Sequence, residues 1–441
     1  MMCARLALAT LAATLLTGLA GATAAATPVQ LRHLLWDASQ RPMYQQCARD
    51  FERLHPGVQV RVQQQGWDDY WSSLSTGFIA NTAPDVFANH LSKFPEQVDN
   101  GVLLDIAPLA QRDRVDPAAY MPGLYDNWGR QGRQYALPAD WDTVTLLVNL
   151  AMTRRAGIAD EALQRLDWNP RDGGSFGRLI ARLTRDEADR DALDPAFDKR
   201  RVKVFGYQTP ASGGMMGQTE WSHFAVSNGW RFQDAPWSPA LHYDDPRLAE
   251  TLDWLAGLPR RGISATPQQL GRLGAETLFT MGRVAVVPIG AWMTGQMARQ
   301  LKFPHAWVPL PVGPVGQRAS MMGGIGHAIW KGTRHPEQAW QWVRYLGSPA
   351  CQQVVAQAGV VYPAIRGLAD VALQAQGRLG ADARVFLTTA QGKTFAPPIV
   401  ANAAEINEVL DSAMQRVLYN GEPAGPLLIQ ANRQARALAA R

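Results

Sequence analysis

Between residues 31 and 88 the hydrophobic pattern switches repeatedly between two periods, and this constrains the fold more than any other feature. Leu31-Arg32-His33-Leu34-Leu35-Trp36 reads as a strand. Met43, Cys47, Phe51 and Leu54 then recur at helical spacing until His55-Pro56-Gly57 stops the run. Val58, Val60 and Val62 alternate with polar residues, as a half-buried strand does. A polar helix over about 68–80 leads to a third strand, Pro84 to Ala88, which overlaps Ala83-Pro84-Asp85-Val86-Phe87. Strand–helix–strand–helix–strand with right-handed crossovers builds a parallel sheet covered by helices.

The N-terminus predicts export. Residues 1–26 carry one charge, Arg5, then an apolar run from Leu6 to Leu19, then Ala24-Ala25-Ala26. That is a signal peptide with a small-residue cleavage site, leaving Thr27 first and placing the protein in the periplasm. The apolar run is short of the ~20 residues a spanning helix needs. Cys3 leaves with the leader. Cys47 and Cys351 remain, either as a disulfide in an oxidising compartment or as two buried thiols. Sequence does not fix their distance. With no CxxC motif, zinc and redox roles find no support.

A chain of 441 residues outgrows one hydrophobic core, so two lobes are expected. A net charge of +5, scattered along the chain, gives no nucleic-acid patch. Tryptophan is the compositional outlier, 15 against 10 tyrosines. Flat rings suit sugar faces, where polarised C–H groups meet the ring's electron-rich surface. Further along, Thr143 to Asn149 reads as a crossing segment and Asp186 to Arg201 as a solvated charged loop. Pro309 to Gly316 reads as a linker. Pro336 opens a helix running to Leu346, and the chain beyond Leu368 is mainly helical.

Several pieces in order resemble one family. They are Trp67-Asp68-Asp69-Tyr70-Trp71 leading to Pro84-Asp85-Val86-Phe87, then Gly101-Val102-Leu103-Leu104-Asp105, and Leu137-Pro138 through Asn149. Gly282-Arg283-Val284-Ala285-Val286 to Trp292 and Glu337-Gln338-Ala339-Trp340 to Leu346 complete the set. The chain resembles the extracellular solute-binding protein family 1, the sugar-binding subunits of ABC importers. The resemblance implies an α/β, two-lobe periplasmic binding protein fold of type II, with a ligand cleft between lobes joined by hinge strands. It places residues 27–138 and 317–365 in lobe I, and 139–316 and 366–441 in lobe II. It also implies a carbohydrate ligand, a permease partner in the inner membrane, a monomer, no cofactor and no metal. The charged segment after Asp167 departs from the family pattern.

In open α/β sheets ligands bind at the carboxyl ends of the strands. That rule selects Trp36, Ser39 and Gln40 after the first strand, and Asn89 and His90 after the third, since side chains that donate and accept suit hydroxyls. Trp36 and Trp292 stand where the resembled family contacts sugar. Asp140, Trp141 and Asp142 follow the presumed hinge, where carboxylates can accept paired bonds from adjacent hydroxyls. Trp230 is a further ring. Gly323 and Gly324 would allow close backbone approach, and Arg366 follows Tyr362-Pro363.

Enzyme-like strings carry less. Gly173-Gly174-Ser175-Phe176-Gly177 fits a nucleophile elbow, but a loop precedes it where that motif needs a buried strand. Asp186, Asp189, Asp191, Asp194 and Asp198 lack the order of a calcium loop. No histidines stand at i, i+4. The rival reading is a secreted glycosidase using Asp140 and Asp142. Neighbours on one strand share a face, whereas glycosidase carboxylates must flank the bond.

Overall fold

The computed structural model describes residues 28–271 and 273–441, so the leader and its cleavage point lie outside the described residues. The first sheet forms from the alternating pattern. Strand Val29–Leu35 pairs in parallel with Val58–Gln64 along its whole length, Val29 opposite Val58 and Leu35 opposite Gln64. Its other edge pairs in parallel with Val86–His90. Strand Ile325–Ile329 then enters antiparallel, between Val86–His90 and Ala136–Pro138. One strand from late in the chain thus closes a sheet begun by the first third.

Helix Arg41–Leu54 covers this sheet with Met43, Tyr44, Cys47, Ala48 and Phe51, one stripe at helical spacing. Pro42 fits its first turn, where no intrahelical N–H is needed. The helix ends at His55, whose N–H still reaches the Phe51 carbonyl before Pro56. A fully buried Phe51 contributes roughly 1.5–3 kcal/mol, so Phe51→Ala would loosen this helix. Cys47 is joined to Cys351 on helix Pro349–Ala358, with 5.3 Å between Cα atoms. The sequence left open a disulfide or two thiols; they are bonded.

The second sheet centres on Val144–Asn149, flanked antiparallel by Val286–Gly290 and His305–Val308. Val144, Leu146 and Val148 face a core shared with helices Gly174–Leu183, Pro246–Arg260, Ala403–Asn420 and Ala424–Ala439. Leu147, Val287 and Ile289 face another, with Leu278, Phe279 and Phe386. Both faces are covered, which is why these strands read as continuous apolar runs rather than as alternation.

Three segments run between the sheets. Asp140–Trp141 pairs antiparallel with Tyr362–Pro363, and Asp142 bridges Gly323 on the other side. One sequence expectation changes here. The 309–316 stretch is no free linker: the Trp168 backbone N–H donates to the Val312 carbonyl at 2.7 Å, pinning it to the second sheet's surroundings. The 186–201 segment is largely exposed, as a charged loop should be, and is organised around one buried carboxylate, because Asp186 accepts the N–H groups of Ala188, Arg190 and Asp198.

Candidate functional site

The carboxyl ends of Val29–Leu35, Val86–His90 and Ala136–Pro138 lie along one edge of the first sheet. The amino end of the antiparallel Ile325–Ile329 joins them there. Residues 36–40, 90–92, 139–142 and 323–324 therefore converge where the crossing segments leave for the second sheet. From the far side, Gly290 pairs with Val144 at the near end of the second sheet. Two residues later Trp292 packs, half-buried, against the first sheet's core.

Aromatic rings line the first-lobe side. Trp36 meets Trp67 and Tyr70 edge-on, with centroids 5.2 Å apart in each case, and Trp71 lies 5.5 Å away. His90 closes the group, 5.6 Å from Trp67. Trp67 is 43% exposed. Trp67 and Trp71 were missed as site residues, although Trp67 starts a helix just past the carboxyl end of Val58–Gln64. The strand-end rule that selects Trp36 selects it too.

Carboxylates form the floor. Asp140 is buried, and its Oδ1 accepts the Ile325 N–H at 2.8 Å. Burial pushes its carboxyl well above the usual range; nearby Asp142 and Asp37 push it further, while the Gln40 side chain opposes them. Burial also pushes Asp142 up to about 7, against hydrogen bonds from the Gly323 backbone and the Gln218 amide. Gln218 Nε2 donates to Asp142 Oδ1 at 3.1 Å. Gln218 was missed in the sequence. It sits beyond Gly213, Gly214 and Gly217, all at positive φ, a turn-rich loop with no period to read. Asp37 Oδ1 accepts both the N–H and hydroxyl of Ser39, at 2.8 and 2.6 Å. His90 Nδ1 lies 2.7 Å from the Ser92 hydroxyl and accepts the Ser92 N–H, so the neutral ring carries its proton on Nε2. Burial, helped by Lys93, lowers the His90 pKa to about 4.

The two glycines touch this floor differently. Gly324, at φ +152°, lies so close that a Cβ would stand 2.3 Å from the Asp140 carbonyl oxygen. A Cβ on Gly323 would stand 3.3 Å from Asp142 Oδ1.

Four expected site residues are placed elsewhere. Trp141 is 1% exposed and stacks flat on Tyr362, with centroids 4.6 Å apart. The strand pleat turns residue 141 away from the face that carries 140 and 142. Trp230 is 2% exposed among Trp221, Phe232 and Tyr243, and its Nε1 donates to the His242 carbonyl. Asn89 is fully buried, donating to Gln97 and accepting the His90 N–H, so its side chain braces the turn. Arg366 is exposed, and its guanidinium donates to the Tyr120 carbonyl at 2.7 Å rather than to a site carboxylate. Ser175 opens a helix after a loop and is held by the Asp167 carboxylate, not set on a strand end.

The profile of the bacterial extracellular solute-binding proteins matches residues 46–379. The chain belongs to this family. Solved structures agree on the fold. UspC of Mycobacterium tuberculosis is 24% identical, with a TM-score of 0.72 over 93% of this chain and 100% of its own. An ABC substrate-binding protein of Listeria monocytogenes in complex with cycloalternan is 19% identical, with a TM-score of 0.78 over 93% and 98%. The sugar-binding protein MalE of Xanthomonas citri is also 19% identical, with a TM-score of 0.69 over 93% and 98%. This solute-binding protein therefore has the two-lobe α/β architecture that the resemblance implied.

Proposed function

We propose that this solute-binding protein captures a saccharide between its lobes outside the cytoplasmic membrane and delivers it, chemically unchanged, to an ABC permease. The observation that carries this reading is the pairing of an exposed indole, Trp67, and half-buried Trp36 with carboxylates at one sheet edge. Rings cover a sugar face and carboxylates accept its hydroxyls. The cycloalternan held by the Listeria neighbour supports the same ligand class. In this reading lobe I spans 27–138 and 317–365, and lobe II the remainder of the mature chain. The protein works as a monomer, and ligand, by binding the closed form better, shifts the population toward it.

The glycosidase reading draws less support. Asp140 and Asp142 lie two residues apart on one segment, while hydrolysis needs carboxylates on both sides of the bond. Thermal-shift and calorimetric titration with mono- and oligosaccharides test the proposal. A ligand at ~100 times its dissociation constant stabilises by ~2.7 kcal/mol. Stabilisation by another ligand class alone, or cleavage of bound saccharide, would overturn it.

A further inference from the structure

The strand order of the first sheet sets the length of the site. The strands run Val58–Gln64, Val29–Leu35, Val86–His90, Ile325–Ile329 and Ala136–Pro138 across it. His90 pairs with Ile325, and the Ile325 carbonyl accepts the Ala139 N–H from the other side. His90 and Asp140 therefore stand about two strand spacings apart, ~10 Å. Trp67 lies one ring beyond His90, at 5.6 Å between centroids. From the carboxylates to the exposed indole the edge thus measures ~15 Å, about three strand spacings.

The two ends of this edge differ. At the carboxylate end the crossing segments close it: Asp140–Trp141 pairs with Tyr362–Pro363, and Asp142 bridges Gly323. At the other end Val58–Gln64 is the last strand, and Gly66, Trp67, Asp68 and Asp69 beyond it are all exposed. Polar groups fill the interval. Asp37 and Ser39 follow the neighbouring strand, and His90 has Nδ1 engaged by Ser92, leaving its Nε2–H to donate. Rings at one end and hydroxyl partners along the rest suit a ligand that is long in one direction.

Resting on the saccharide reading above, we propose that the ligand is an oligosaccharide of at least three pyranose units laid along this edge. One terminal unit meets Asp142, the second meets Asp37 and His90, and the third stacks on Trp67. A pyranose advances a chain by about one strand spacing, ~5 Å, so a single hexose reaches the carboxylates or the indole and never both. Three units engage both, and the open end lets a longer chain run on into solvent past Trp67.

Calorimetric titration of the purified full chain tests this with homologous series of one to five units. These are glucose, mannose and galactose oligomers in α-1,4 and β-1,4 linkage. Within a series that binds, the trimer should bind at least about tenfold more tightly than the monomer, a difference of about 1.4 kcal/mol. The fourth and fifth units should add little. Trp67→Ala should lower the trimer-to-monomer affinity ratio about threefold or more, and Trp67→Phe should restore part of it, since a smaller ring still stacks. Ligand-free melting curves show whether both variants are folded. If the monomer binds as tightly as its trimer, this inference fails and the saccharide reading stands. If affinity climbs as steeply at the fourth and fifth units as at the third, or the ratio survives intact in Trp67→Ala, the placement of the third unit on Trp67 is overturned. If no saccharide binds, the proposed function fails and takes the inference with it.

Discussion

Two tryptophans show how position overrides residue type. Trp67→Ala should weaken saccharide binding by about 0.5–1.5 kcal/mol and change the melting temperature little, because the ring is partly in solvent. Trp230→Ala should do the opposite. It removes a buried ring from a packed cluster, costing about 3–5 kcal/mol of stability in urea unfolding, with no direct contact to ligand lost. Equal effects of the two variants on binding would contradict this placement. Titratable residues give a pH signature as well. Asp142 has a folded pKa raised to about 7, so the stability it contributes is full below the unfolded carboxylate value and lost as pH rises toward 7. His33 and His327 are buried without hydrogen-bond partners, and burial lowers both, His33 to about 3. Their contribution is full above the unfolded histidine value and lost as pH falls toward 3. Between pH 5 and 7 the two effects oppose each other, so the difference is the readout: the ligand-free melting temperature of Asp142→Asn relative to the wild type should rise from pH 5 to 7, as differential scanning fluorimetry would register.

At the scale of elements, two ties join segments far apart in sequence. The disulfide links helix Arg41–Leu54 to helix Pro349–Ala358 across 304 residues. Closing so long a loop limits the unfolded chain, so replacing both cysteines with serine should cost about 2–5 kcal/mol. Urea melts of the wild type and the double variant decide this. The second tie is Trp237, which sits on the 230–243 loop packed with the second sheet's core. Its Nε1 donates to the Gly129 carbonyl at 2.8 Å, and the Arg130 guanidinium lies 4.3 Å over its ring. Asp99 pairs with Arg130 and accepts the Asn402 N–H. These contacts hold the two halves together away from the crossing strands. Trp237→Ala should weaken ligand affinity by about 0.5–1 kcal/mol, because lobes that separate more easily favour closure less. Small-angle scattering should show a larger ligand-free radius of gyration in the variant. An unchanged radius with unchanged affinity would make Trp237 a packing residue only.

At the scale of the whole molecule, period alone specified the first sheet. Apolar residues every second or every third-to-fourth position leave few alternatives, and Val29–Leu35, Arg41–Leu54 and Val58–Gln64 formed where that pattern lay. The strand-end rule also led to Trp36 and His90, since a parallel sheet places its carboxyl edges together, and the presumed hinge led to Asp140 and Asp142. What local pattern could not decide was direction and company. Trp141 and Asp142 are neighbours in sequence, yet the pleat sends one ring into Tyr362 and leaves its neighbour beside Gln218. Trp230 and Trp67 are chemically the same, and only the packing around each separates core from cleft. Gln218 and Gly323 reach Asp142 through contacts spanning tens to hundreds of residues, and no spacing along the chain encodes such distances. The linear code thus determined the periodic elements, because periodicity is local. The tertiary structure alone decided which side chains share the cleft, because burial and charge depend on neighbours brought together only by folding.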